Sequence, residues 1–221
     1  MSVASTISEQ VAEMHAARGT EPAEDTMAAF AREQSALAAD GLPAGIAEVG
    51  LTVADTDLLD VRGAWTTLYR ATAGRTSVIV FYRGAWCPYC NIALAVYQGE
   101  LLPWLNQRGV ELVAISPQRP DGSLSMQEKN NLAFTVLSDP GNSLARRLGV
   151  LTQPSTDARA AQLRLGLDLR GVNADGTIEL PMPTTLIVDA EHVLRWIDVH
   201  PDYSTRTEPQ QILDALDRLD A

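Results

Sequence analysis

Ser77-Val78-Ile79-Val80-Phe81-Tyr82-Arg83-Gly84-Ala85-Trp86-Cys87-Pro88-Tyr89-Cys90 runs from an apolar segment through a short turn into two cysteines spaced as CxxC. The unbroken stretch Ser77–Tyr82 has the composition of a strand buried on both faces of a sheet. Beyond the cysteines, Leu94, Tyr97, Leu101, Leu102 and Leu105 recur at helical spacing. They predict a helix over Cys90–Asn106, kinked or shortened at Pro103. The pair therefore stands where a buried strand turns into a helix. A first helical turn leaves N–H groups unpaired and carries partial positive charge, here aimed at Cys87. A thiolate is favoured in such a place, and the ordinary cysteine pKa of about 8.5 falls by one to several units. Cys90 lies one turn in, close enough to resolve a mixed disulfide on Cys87. Pro88 suits an early helical position. Trp86 covers one side of the pair and offers partners an aromatic surface.

The rest of the composition narrows what this dithiol is for. A length of 221 residues gives a soft prior of about one domain. Twenty-eight acidic against 17 basic side chains leave a net charge of −11, which argues against nucleic-acid binding. Two cysteines cannot build a secreted disulfide framework. A structural zinc site needs four ligands, and His15, His192 and His200 are scattered, so neither metal nor cofactor is expected. Redox chemistry is the reading these residues favour, with a zinc half-site and idle thiols as the alternatives. The first thirty residues hold no secretory signal, and no apolar run approaches the ~20 residues that cross a bilayer. A cytoplasmic protein without membrane association is expected, and there thiols are kept reduced.

Residues 1–48 read as a helical extension. Ile7, Val11 and Met14 form one apolar stripe, and Met27, Phe30 and Leu37 another after Thr20 and Pro22. Asp40-Gly41-Leu42-Pro43 is a stop signal. This arm is expected to pack on the main domain, and its apolar faces also suit a second subunit in a homodimer. From about residue 50, strands and helices alternate. Leu51–Leu59 and Trp65–Leu68 read as a hairpin around Arg62-Gly63. Strands follow at Glu111–Ser116 and Phe134–Leu137, with helices at Ser123–Asn130 and Asn142–Leu148. Residues 151–176 read as a long loop with a short helix around Ala158–Leu165, long enough to fold over the site as a lid. Thr185–Val188 and Val193–Val199 pair as strands. A helix over Glu208–Leu219 closes the chain, opened by a capping box of Thr207 and Gln210. Such alternation indicates a layered α/β domain.

A CxxC between strand and helix, with Pro181-Met182-Pro183 ahead of a later strand, resembles the thioredoxin fold: a central mixed sheet flanked by helices, here over 49–221 behind the extension. The resemblance makes Pro183 a cis proline against the cysteines, forming a substrate-docking backbone with Met182. The 96 residues from Cys87 to Pro183 leave room for additional elements. That arrangement resembles the peroxiredoxin-like branch, the alkyl hydroperoxide reductase and thiol-specific antioxidant family. The specific stretches are Phe81–Cys90, Val113–Gln118, Val136–Asp139 and Asp202–Pro209. In the usual motif of that branch, Pro-x-x-x-Thr/Ser-x-x-Cys, Arg83 falls on the proline, Cys87 on the threonine and Cys90 on the peroxidatic cysteine. The arginine expected ahead of the later strand falls on Pro183, so Arg83 and Arg206 are the candidates to stabilise a thiolate and polarise a peroxide. Thioredoxin logic assigns attack to Cys87, peroxiredoxin logic to Cys90, and both end in a Cys87–Cys90 disulfide. The resemblance implies a thiol-dependent peroxidase for hydrogen peroxide or organic hydroperoxides, restored by a thioredoxin-like or low-molecular-weight thiol reductant. Its alternatives are a thiol–disulfide oxidoreductase acting on protein or small disulfides and a redox-sensing module.

Overall fold

The computed structural model describes residues 5–17 and 24–219. Two helices come first, α1 (Ile7–Ala16) and α2 (Glu24–Asp40). The punctuation at Thr20 and Pro22 lies outside the described residues. The hairpin β1 (Asp57–Asp60) and β2 (Trp65–Thr67) leads through α3 (Leu68–Thr72) into β3 (Ser77–Phe81). Helices α4 (Pro88–Val96) and α5 (Leu102–Arg108) flank a π-helical turn at Tyr97–Leu101. Then come β4 (Glu111–Ser116), α6 (Pro120–Lys129), β5 (Thr135–Ser138) and α7 (Ser143–Arg147). A two-stranded ribbon, β6 (Leu151–Thr152) and β7 (Leu180–Pro181), brackets α8 (Thr156–Arg164) and α9 (Leu169–Val172). Strands β8 (Thr184–Val188) and β9 (Leu194–Val199) and helix α10 (Pro209–Leu219) complete the order.

The seven-stranded sheet runs β2-β1-β5-β4-β3-β8-β9. Strands β3, β4 and β5 are parallel, and the strands outside them pair antiparallel, so the sheet is mixed. All five residues of β3 are buried, as their apolar composition demands of a strand covered on both faces. Val78 and Val80 enter one core with α4, α5 and α10, while Ile79 and Phe81 enter the other with α3 and α7. Ile7 and Val11 of α1 belong to the first core, so the N-terminal helix is part of the domain's packing. Register explains where chemistry collects. Phe81 pairs with Ile115 on one side and Thr184 on the other, and Thr184 also pairs with Val199. The cysteine turn, Gln118, Pro183 and the segment after β9 therefore meet at one end of the sheet.

Several boundaries depart from the sequence reading. The strand expected over Leu51–Leu59 shrinks to Asp57–Asp60, because Asp55 Oδ1 accepts the Thr56 and Tyr69 N–H groups and turns the chain. The helix expected from Cys90 starts at Pro88. Pro103 lacks an N–H, and upstream of it the Leu102 N–H reaches back five residues to the Tyr97 carbonyl, leaving a π turn where a kink was expected. Within 151–176 the short helix expected around Ala158–Leu165 is present as α8, and a second helix, α9, and the strand β6 replace much of the loop expected around it. The capping box at Thr207 is not formed: its hydroxyl donates to Asp198, while the Glu208 N–H donates to Gln211 Oε1 one position further on. Gly41, by contrast, closes α2 in the left-handed conformation expected of it, at φ +68°.

Candidate functional site

Gly84 makes the turn between β3 and α4. Its φ is +150°, and a Cβ there would sit 2.4 Å from Trp86 Nε1 and 2.9 Å from Gln118 Oε1, so only glycine fits. Ala85 N–H donates to Gln118 Oε1 at 2.7 Å, and Asn91 Nδ2 donates to the carbonyls of Ala85 and Cys87, both at 2.8 Å. These bonds hold Cys87 as the N-cap of α4, with Pro88 first in the helix and Cys90 third. Both sulfurs are buried, at 1% and 0% exposure.

The two thiols are not equivalent. Cys90 Sγ accepts from Arg206 Nη2 at 3.0 Å and from the Arg83 backbone N–H at 3.4 Å. Cys87 Sγ lies 3.8 Å from the same Nη2. Burial opposes ionisation at Cys90, but the Cys87 thiol, the Arg206 guanidinium and the Arg83 N–H outweigh it and hold Cys90 well below the usual cysteine range. Burial and the adjacent Cys90 sulfur push Cys87 well above that range, against the pull of both arginines. The N-cap position of α4 alone favours a thiolate at Cys87, but the closer guanidinium contact and the Arg83 N–H act on Cys90 and lower it instead. Arg206 is held on its charged side although buried, because the Cys90 and Cys87 sulfurs beside it offset the burial. Its Nη1 donates to the carbonyls of Tyr203 at 2.6 Å and Thr205 at 2.5 Å, leaving Nη2 for the sulfurs.

In front of Cys87 lies a cavity of about 730 Å³. One wall is α2, through Met27, Phe30 and Gln34; another is Leu165 and Leu167, just past α8. Arg83, Trp86, Cys87 and Tyr203 form its floor, and Cys90 does not line it. Gln34 Nε2 donates to the Tyr89 hydroxyl at 3.3 Å, which also contacts His15 Nε2 at 3.3 Å, tying both N-terminal helices to α4. Glu33 accepts the Ser155 N–H at the start of α8, so the two walls are joined.

Of the residues singled out from sequence, Cys87, Cys90, Arg83, Trp86 and Arg206 meet around the turn. Arg206, 119 residues beyond Cys87, reaches both sulfurs. The Arg83 side chain touches neither; its guanidinium stacks 3.8 Å over the Tyr203 ring and 5.4 Å from the Trp86 ring. Pro183 is buried ahead of β8, its carbonyl accepting the His200 N–H. Sequence reasoning missed Gln118, Asn91, Tyr203 and Glu208. Three of the four lie in stretches that carried the family resemblance, which was the available signal. Asn91 carried none. Glu208 accepts from Ile7 N–H, Ser8 N–H and the Ser8 hydroxyl, capping α1 from two residues beyond Arg206.

A mixed sheet with a dithiol at the strand–helix turn and a buried guanidinium on the sulfurs defines a thioredoxin-fold redox protein. Residues 49–197 match the AhpC/TSA family, and the chain belongs to that family. A stretch of 77 residues is 31% identical to bcp of Buchnera aphidicola subsp. Schizaphis graminum, named as a peroxiredoxin, covering 35% of this chain and 48% of that protein. A stretch of 80 residues is 28% identical to the thiol–disulfide oxidoreductase ResA of Bacillus thuringiensis subsp. konkukian, covering 36% of this chain and 46% of that one. The chain thus spans about half the length of the curated relatives it matches. Peroxidoxin BcpB of Mycobacterium tuberculosis superposes with a TM-score of 0.60 at 19% identity, over 79% of this chain and 99% of that one. Reduced Prx3 of Vibrio vulnificus, solved in complex with H2O2, gives 0.62 at 19% identity, over 77% and 99%. These solved structures share the fold, and the relatives are enzymes. No helix of the described residues is long and apolar enough to cross a membrane.

Proposed function

We propose that the chain reduces hydroperoxides through a dithiol–disulfide cycle in which Cys90 attacks and Cys87 resolves. The observation that carries this reading is the Cys90 sulfur held by Arg206 at 3.0 Å and by the Arg83 backbone N–H at 3.4 Å, while Cys87 lies 3.8 Å from the same guanidinium. The Cys90 thiolate attacks one peroxide oxygen, the O–O bond breaks, and Cys90 becomes a sulfenic acid. The departing alkoxide or hydroxide takes the Cys87 proton. Cys87, now a thiolate, attacks the Cys90 sulfur and expels hydroxide, which is protonated to water, leaving the Cys87–Cys90 disulfide. Arg206 stabilises the charge before attack and as the O–O bond lengthens. A thioredoxin-like or low-molecular-weight thiol would return the dithiol.

Trapping distinguishes the two sulfurs. After hydrogen peroxide, a sulfenic-acid probe should label Cys90 in Cys87→Ser and leave Cys90→Ser unlabelled. Labelling of Cys87 alone would reverse the assignment. A second reading, thiol–disulfide exchange with larger substrates, is favoured by one observation: Cys87 lines the cavity and Cys90 does not. Reduction of insulin disulfides, lost in Cys87→Ser, would support it.

A further inference from the structure

The cavity in front of Cys87 has one charged floor residue that forms no ion pair among the described residues. Arg83 is 4% exposed, and its Nε is buried without a hydrogen-bond partner. Among the described residues its guanidinium makes no ion pair; its contacts are the faces of Tyr203 and Trp86. The carboxylate on α2, Glu33, accepts the Ser155 N–H through Oε1 at 2.5 Å, leaves Oε2 buried without a hydrogen-bond partner, and is not ion-paired with Arg83. Around this cation the walls are apolar side chains of α2 and of the segment after α8, and at about 730 Å³ the space falls in the ~300–1,000 Å³ range of small-molecule sites. A buried, unpaired guanidinium favours a planar anion that it can grip through two donors. Apolar walls favour a long hydrocarbon body.

The geometry points to a binding site for an amphipathic monocarboxylate, its carboxylate on Arg83 and its chain between Phe30 and Leu165. An occupant there covers Cys87, so it would gate access to the dithiol whether the chain reduces peroxides or disulfides. The inference therefore does not rest on the peroxidase reading.

Calorimetric titration of the full reduced chain with myristate and with methyl myristate tests it. The acid should bind one to one, and the ester about ten- to a hundredfold more weakly, the loss expected when a hydrogen bond to a charged group is removed. Arg83→Gln should erase the difference between acid and ester, and Arg83→Lys should restore part of it. Phe30→Asp, on a half-exposed position, should lose myristate binding while unfolding at an unchanged temperature. In Cys90→Ser, myristate should slow alkylation of Cys87. Equal affinity for acid and ester in the unmodified chain would overturn the site, as would binding that leaves Cys87 alkylation unchanged. Peroxide consumption, measured separately, would fail without affecting either result if only the peroxidase reading were wrong.

Discussion

Arg206, behind Cys90, and Arg83, in front of Cys87, are 6% and 4% exposed, yet their surroundings are opposite. Behind the sulfurs both terminal nitrogens of Arg206 are committed: Nη1 holds two carbonyls and Nη2 the cysteines, and the Tyr97 hydroxyl donates to the Thr207 carbonyl at 2.6 Å. In front, Arg83 rests on aromatic faces amid apolar side chains. A saturated cation is fixed in one place and works on the sulfur it touches. An unsaturated one keeps its hydrogen-bonding capacity for something that arrives. The site thus separates charge for chemistry from charge for recognition.

Breaking the rear wall should have the largest effect. Arg206→Gln leaves the Cys90 thiolate without its cation, and the rate of peroxide-dependent oxidation at neutral pH should drop by about a hundredfold. Stopped-flow fluorescence across pH should find the rising limb displaced upward, because loss of the guanidinium raises the Cys90 pKa. Stability should follow the same group. The Cys90 pKa is lowered in the fold, so reduced protein gains stability as pH rises from that value toward the ordinary cysteine value near 8.5. Above it, the raised Cys87 pKa works the other way, since the unfolded thiol ionises first. Thermal unfolding of the reduced chain should peak near that pH, and the rise should be absent in Cys90→Ser.

Gly84 is the seam between the two walls, and the next largest effect belongs there. In Gly84→Ala the methyl group must displace Trp86 and Gln118 or the backbone itself, at a cost of about 2–4 kcal/mol. Denaturant unfolding measures that cost, and a change below about 0.5 kcal/mol would mean the turn is slack. The smallest effect belongs to α1. Glu208→Ala takes the acceptor from the Ile7 and Ser8 N–H groups while the Thr6 cap remains, and should cost about 1 kcal/mol. Hydrogen exchange should quicken in α1 and leave α4 protected.

The strand, the turn and the CxxC were legible because each is local: an apolar run, a glycine and two cysteines within fourteen residues of each other. The rear wall was partly legible, since Arg206 sits in a stretch that carried the family resemblance. The helices of the front wall were also read, but their meeting over the cysteines was not. Helix α8 buries Ala158, Ala161 and Gln162, small or polar residues that leave no hydrophobic period to see. Met27, Tyr203 and Leu165 become neighbours only through the fold. Thr207 misled for a related reason: its hydroxyl had two suitors, and Asp198, nine residues away, took it from the helix.

Tyr203, Arg206, Thr207 and Glu208 each meet a different part of the molecule: the Arg83 guanidinium, the sulfurs, the Tyr97 hydroxyl and the start of α1. These contacts fall at offsets of zero, three, four and five along a segment with no helix or strand of its own. Surface connections ordinarily tolerate added or missing residues. This one is a ruler, and one residue more or fewer between Tyr203 and Glu208 would misplace at least one of the four marks.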